Sequence, residues 1–186
     1  MSESDEAIKH AGKFLDFRET EEGWEYVTRP NAKGCVAILA VTEDKRVVLT
    51  EQFRPPVGKM VIELPAGLAG DIPYQEQEPL VVAAKRELKE ETGYEAKNWT
   101  ILGEGPSSAG LTNEFNSIFY ATGLTKMTDG GGVGGEEIKV HYVAMSDVAG
   151  WCERRQSEGK MVDFKIFAAL YLAKHKEQNT EGRLWF

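Results

Sequence analysis

The sequence predicts an α/β fold with a mixed sheet covered on both faces, and three observations predict it. Residues 36–41 (VAILAV) form a continuous apolar run, the pattern of a strand buried on both sides. Residues 79–93 read as a helix: Pro79 suits a first turn, where its missing N–H would be unpaired anyway, and Gly93 suits a left-handed stop. Residues 163–174 (DFKIFAALYLAK) place Phe164, Phe167, Leu170 and Tyr171 at helical spacing, as a terminal amphipathic helix requires. Strands interleaved with helices in this way build layered domains.

Taken in order, the chain opens on a polar, acidic stretch (MSESDEAIKH) expected to be disordered. Residues 13–18 and 24–29 then alternate like strands, with the acidic, glycine-containing ETEEG between them as a hairpin loop. Two strands cannot bury a face alone and need a partner surface. The apolar run at 36–41 turns at Asp44-Lys45 into a hairpin mate at 47–53, which Pro55-Pro56 ends. Residues 61–64 form a short strand leading into a glycine-rich turn, Pro65-Ala66-Gly67, which delivers the chain to the helix. Beyond it, 100–102 and 116–120 are strand-like, with a turn-rich loop from Pro106 to Glu114 between them. Residues 126–135 (KMTDGGGVGG) read as a flexible linker, and 137–143 as a further strand. Ser146 is placed to cap a short helix running through Trp151.

Composition narrows the partners. A length of 186 residues suits one domain with a small appendage. A net charge of −8 argues against a nucleic-acid or anionic-membrane surface, though not against a phosphate substrate, because bound divalent cations reverse the local field. No apolar run is long enough to span a bilayer, and the start is unlike a signal peptide. Cys35 and Cys152 have neither metal-ligand spacing nor a disulfide framework, so a cytoplasmic, reducing setting is expected. His10, His141 and His175 share no spacing, and none is assigned a role.

The helix is the chemically unusual element. At about 100° per residue, Val81, Ala84 and Leu88 share a packing stripe, and Glu87, Glu90 and Glu91 crowd within an arc of about 100° that overlaps its edge. Lys85 and Lys89 point to the far side; Arg86 is the one nearby cation. A solvated acidic face is the bland reading of such a run, but carboxylates crowded beside a buried stripe suit a hard divalent cation such as Mg²⁺ or Mn²⁺. The fuller pattern decides between them. Glu78, Arg86, Glu87, Leu88, Glu90, Glu91 and Gly93 fall in register with G-x5-E-x7-R-E-U-x-E-E-x-G-U, and the stretch closely resembles the Nudix box. It departs from the pattern in a longer loop after Gly67, with residues 71–75 as the insertion, and in Tyr94 at the final aliphatic position.

A second resemblance lies outside the box. Gly23-Trp24-Glu25-Tyr26, Glu51-Gln52-Phe53-Arg54, residues 62–67 (IELPAG) and 108–114 (SAGLTNE) look like the ADP-ribose and nucleoside-diphosphate-sugar pyrophosphatase branch. Ala109 stands where that branch usually has proline. These resemblances imply an α/β/α sandwich and Mg²⁺-dependent hydrolysis of a pyrophosphate bond, releasing a nucleoside monophosphate and a sugar phosphate. They imply that Glu87, Glu90, Glu91 and the Ala66 carbonyl hold metal, and that Arg86 orients a glutamate. Glu114 is the implied catalytic base, with Glu136 and Glu137 as the alternative, and Glu91 and Arg86 complete the catalytic set. Trp24, Arg54, Glu63 and Gly110 are the implied substrate-binding residues. Glu78 is either part of this set or a carboxylate favoured by the helix dipole. Residues 1–32 would form an N-terminal hairpin region that pairs two subunits into a homodimer, and 33–186 the hydrolase domain. The competing expectations are a hydrolase of another nucleotide, such as a dinucleoside polyphosphate or dinucleotide cofactor, and a non-catalytic nucleotide-sugar binding module.

Overall fold

The computed structural model describes residues 7–72, 74 and 76–180, with side chains as far as residue 176. Residues 1–6 of the polar start, and Pro73 and Gln75 of the insertion, lie outside the described residues. The chain begins with a small antiparallel sheet of β1 (Ala7–Ala11), β2 (Asp16–Glu19) and β3 (Glu25–Thr28). The expected hairpin is β2 and β3, with its turn at Gly23, whose φ is 82°. The expected disorder of the start fails at residues 7–11. These pair with β2 although all five side chains remain exposed, because backbone hydrogen bonds need no apolar pattern.

Among the described residues the main sheet has eight strands: β4 (Gly34–Val41), β5 (Arg46–Arg54), β6 (Lys59–Glu63), β7 (Ala66–Ala69), β8 (Tyr94–Pro106), β9 (Phe115–Lys126), β10 (Lys139–Ala144) and β11 (Met161–Val162). β4 is its centre, antiparallel to β5 and β7 and parallel to β9, so the sheet is mixed. The expected turn at Pro65-Ala66-Gly67 is shorter than foreseen. From Ala66 the chain is already β7, whose pairing with β4 is non-local and leaves no mark on the sequence.

Among the described residues three helices cover the sheet: α1 (Leu80–Thr92), α2 (Val148–Ser157) and α3 (Lys165–Thr180). Alternation along β4 sorts the layers. Val36, Ile38 and Ala40 meet Ala83, Ala84 and Leu88 of α1, while Ala37, Leu39 and Val41 meet Val148 and Cys152 of α2 and Ile166, Ala169 and Ala173 of α3. That is the expected α/β/α sandwich. Leu88 is fully buried, and truncating such a leucine to alanine costs about 2–5 kcal/mol. No helix among the described residues is long and apolar enough to cross a membrane.

Three local expectations are corrected. Ser146 does not cap: it lies in a 3-10 turn (Met145–Asp147), and α2 follows with no side-chain cap bond. The face of α3 differs as well. Small residues (Ala169, Ala173) and Ile166 face the sheet, which lets the helix approach closely, and Phe164, Phe167 and Tyr171 turn outward. Residues 126–135 are no plain linker either. Met127 N–H and Thr128 N–H bond to the Gly93 carbonyl, Gly131 N–H to that of Glu91 and Gly132 N–H to that of Glu90. The loop thereby supplies donors to the carbonyls that every helix C-terminus leaves unpaired. Gly93 closes the helix at φ 73°, as its position foretold.

Candidate active site

The C-terminal half of α1 lies over β7, and the close approach is made possible by Gly67. A methyl group at that position would overlap the carboxylate of Glu87. Glu91, one turn later, is 4% exposed and accepts from the Ala66 N–H at 3.1 Å. β7 thus lies against both carboxylates, and Ala66, Gly67, Glu87 and Glu91 share one wall of a cleft of about 410 Å³.

Arg86 extends beside this wall and gathers four acidic side chains. Its Nη1 donates to Glu87 Oε1 at 2.7 Å and lies 3.5 Å from Glu90; its Nη2 lies 3.3 Å from Glu78 and 3.6 Å from Asp71, and donates to the Leu68 carbonyl. Glu78 is buried, and its second tie is to the Gly70 N–H, so the structure makes it a brace between Arg86 and the end of β7. Glu90 contacts Arg86 but does not line the cleft.

Basic side chains also line the cleft, each beside a carboxylate. Arg54, at the end of β5, donates to Glu63 of β6 at 2.7 Å, and both line the cleft. Arg29, which follows β3, donates from Nε to Glu114 at 2.9 Å. Lys165, the first residue of α3, is tied to Asp163. Glu136, from the glycine-rich loop, also faces the cleft, and its charge is felt by Glu91 and Arg54. Glu137 does not line the cleft. Arg29, Lys165, Ser107 and Asn116 line it without having been singled out from sequence. Isolated basic and polar residues between strands carry no pattern; only the topology brings them together.

Two expected substrate contacts do not line this cleft within a single copy of the chain. Trp24 is 60% exposed at the β2–β3 turn and is not among the residues that line the cleft. Gly110 lies on the exposed side of the loop before β9, where Leu111 and Thr112 instead meet β3: the Val27 N–H bonds to the Leu111 carbonyl, and Val27 bridges Thr112.

Charge balance on the acidic wall is poor. Burial pushes the Glu91 carboxyl up to about 9; the Ala66 N–H opposes this, and Glu87 and Glu136 add to it. Burial likewise pushes Glu87 up to about 7, even with Arg86 beside it. Among the described residues no three His, Cys, Asp or Glu side chains converge as a ready-made metal cage, since Arg86 stands between Glu87 and Glu90. The donors nevertheless fit a divalent ion. They are hard carboxylate oxygens, partly desolvated, short of compensating charge and packed against a glycine backbone that admits the Glu87 carboxylate. Cys35, also in the cleft, is pushed up to about 12 by burial and then by the charge of Glu114, so its thiol stays protonated.

A helix presenting crowded carboxylates to a cleft that basic side chains also line, on an α/β/α sandwich, is the arrangement of a hydrolase of phosphoanhydride bonds. The chain belongs to the Nudix hydrolase family, whose NUDIX domain matches residues 32–169. It is 32% identical over 145 residues to an ADP-ribose pyrophosphatase of Bacillus subtilis (strain 168), covering 77% of this chain and 74% of that protein. To an ADP-ribose pyrophosphatase of Mycobacterium tuberculosis (strain ATCC 25618 / H37Rv) it is 31% identical over 179 residues, 89% and 79% of the two chains. A methanol dehydrogenase activator of Bacillus methanolicus is 36% identical over 104 residues, 56% of this chain; the match spans about half (54%) of that protein. Among solved structures, an ADP compounds hydrolase has the same fold, with a TM-score of 0.69 at 18% identity over 97% of this chain and 95% of that one.

Proposed function

We propose that the protein hydrolyses the pyrophosphate bond of a nucleoside diphosphate sugar, ADP-ribose or similar, to a nucleoside monophosphate and a sugar phosphate. The observation that carries this reading is the composition of the cleft: the carboxylates of Glu87 and Glu91 from α1 and the basic side chains of Arg54, Arg29 and Lys165 line one cavity. A pyrophosphate resists water because its oxygens are already anionic, and catalysis consists of neutralising and orienting them. Glu87, Glu90, Glu91 and the Ala66 carbonyl would hold Mg²⁺, with Mn²⁺ as a substitute; when bound, the metal supplies charge neutralisation and a more acidic water. Arg86 fixes the ligands by holding Glu87 at 2.7 Å. Arg54 presents a planar guanidinium suited to phosphate oxygens, its orientation set by Glu63.

Two loop carboxylates are available to take the proton of the attacking water. Glu114 has to surrender its Arg29 pair to do so. Glu136 has no such partner among the described ion pairs and stands nearer the acidic wall in charge coupling. We therefore assign the base to Glu136 and give Glu114 the task of orienting Arg29. The N-terminal sheet exposes Ile8, Phe14, Leu15 and Trp24. An apolar surface on so small a sheet suits burial against a second copy, and we propose a homodimer formed through it.

The test is hydrolysis of ADP-ribose, GDP-mannose, UDP-glucose and diadenosine polyphosphates with Mg²⁺, read as phosphatase-accessible products. Cleavage of a sugar nucleotide is expected. Cleavage only of the diadenosine compounds would transfer the protein to another substrate class. No cleavage of any of them, with Glu91→Gln binding nucleotides like the parent, would end the reading.

A further inference from the structure

The segment between β9 and β10 is rich in glycine, yet it is fastened to the end of α1 at close range. The Gly131 N–H donates to the Glu91 carbonyl at 2.8 Å, and the Gly132 N–H to that of Glu90 at 3.1 Å. A glycine on each side makes the approach possible. A methyl group at Gly130 would stand 2.5 Å from the Thr92 carbonyl carbon and 2.7 Å from the Glu91 carbonyl oxygen, and one at Gly93 would overlap the Thr128 carbonyl. These are backbone atoms, which cannot swing aside as the end of a side chain can.

Lys126, the last residue of β9, closes the same joint. Its ammonium donates to the Thr92 carbonyl at 2.6 Å and to the Asp129 carbonyl at 3.3 Å, and lies 4.7 Å over the Tyr94 ring. A cation is favoured at a helix C-terminus by the helix dipole, and the ring face adds to the attraction. Helix capping alone would account for these bonds. What the loop carries gives them a second use. Glu136 follows Gly132 in the chain after residues 133–135 only, and the Val133 N–H holds its carboxylate at 3.2 Å.

We infer that Gly130 and Lys126 are positioning residues: they lock the loop that carries Glu136 onto the last turn of the helix that carries Glu87, Glu90 and Glu91, and so fix the spacing between proton acceptor and metal ligands. This rests on the assignment of the base to Glu136 above. Gly130, Gly131, Gly132, Gly134 and Gly135 all have positive φ, and a run of glycines has more backbone freedom to lose than any other. Unfastened, it would spread Glu136 over many positions, and a misplacement of about 1 Å can cost about 10² in rate. Fastened at Gly131 and Gly132, the loop leaves three residues between its anchor and the base.

Steady-state kinetics at saturating Mg²⁺, on the sugar nucleotide that the parent cleaves, separate this role from helix capping when each variant is made with and without Glu136→Gln. Gly130→Ala should lower kcat by about tenfold or more with KM within about twofold of the parent. With Glu136→Gln already present it should lower kcat by no more than about twofold, because no base is left to misplace. Lys126→Met should lose less, about threefold, since its side chain is exposed, and Lys126→Arg should restore most of that loss. Amide exchange of the full chain, followed by NMR, gives a readout independent of turnover. The Gly131 and Gly132 amides should be protected in the parent and exchange about tenfold faster or more in Gly130→Ala and Lys126→Met. Equal losses of kcat in the two backgrounds would reduce the joint to a helix cap, and unchanged exchange would mean that the loop is not held there; either overturns the inference. Should Gly130→Ala fail to fold, Lys126→Met carries both comparisons. If the parent cleaves no sugar nucleotide, or Glu136→Gln keeps kcat within about twofold, the reading of the reaction or of its base has failed rather than the joint. The joint then stands on faster exchange in the variants and falls on unchanged exchange.

Discussion

The acidic cleft and the N-terminal sheet are incomplete in opposite senses. Around α1 the chain buries charges it cannot neutralise: Glu91 is almost wholly enclosed, with its proton affinity pushed up to about 9, and Arg86 is divided among four carboxylates. In β1–β3 and their turns the chain exposes apolar groups it cannot bury, among them Phe14 and Trp24. Neither is a packing failure, since the sandwich between them is closed on both faces. A deficit of positive charge calls for an ion and a substrate, whereas a deficit of apolar cover calls for another surface. The two should therefore respond to different perturbations.

The largest effect is expected at the cleft. Glu91→Gln keeps the shape and the bond from the Ala66 N–H but removes the charge, and should lower kcat by about 10³-fold, the equivalent of about 4 kcal/mol of transition-state stabilisation. Loss of a metal ligand and loss of structure are separated by thermal unfolding without metal, where the variant should be at least as stable as the parent. A kcat within tenfold of the parent would remove Glu91 from the machinery.

The loop carboxylates come next. Glu136→Gln should reduce kcat by about 10²-fold with metal affinity retained, in the range of a lost general base, and Glu114→Gln by about tenfold. The reverse order would return the base to Glu114 and make Glu136 an electrostatic neighbour.

Metal removal should show as a slope against pH. Glu87 and Glu91 have folded-state proton affinities raised above an ordinary 4.5, to about 7 and about 9. The folded form therefore holds more protons than the unfolded form between those values, and stability present below pH 4.5 is lost as pH rises through 7 and towards 9. Glu51 and His141 are shifted downward and change charge at lower pH, so they do not contribute above neutrality. In chelator the melting temperature should fall from pH 7 to 8.5. Saturating Mg²⁺ should raise it and flatten the slope, as a ligand bound only by the folded form does. Glu91→Gln should be flatter than the parent in chelator. A parent profile that is level without metal would mean that the acidic wall is already balanced.

What the sequence revealed of these regions follows from how local each one is. The glutamate cluster, Gly93 and the run at 36–41 lie within single elements and are governed by short-range periodicity, so they were readable. β7 and the full lengths of β8 and β9 depend on partners far along the chain. Aromatic residues dominate the sequence pattern of α3, whereas close packing on the sheet selects Ala169 and Ala173, with Leu170 beside them. Glu87, Glu91 and Arg86 could be picked out from their neighbours in sequence. Arg29 and Lys165 could not, because what qualifies them is a cleft assembled from opposite ends of the chain.

The smallest catalytic effect is expected from the N-terminal sheet, and there it becomes diagnostic. Trp24 and Phe14 are not among the residues that line the cleft in one copy of the chain. Replacing both with serine removes apolar surface without opening a core, so the fold of each subunit should survive. Surface changes of this kind stay within about 0.5 kcal/mol, or about twofold in rate, unless the surface is an interface. The double variant should therefore keep kcat within about twofold while its mass by light scattering drops from that of a dimer to that of a monomer at micromolar concentration. A parent already monomeric there would refute the dimer. A variant that loses both mass and turnover would show instead that the second copy completes the cleft, and the contrast between a charge-deficient region and an apolar one would become a single linked requirement.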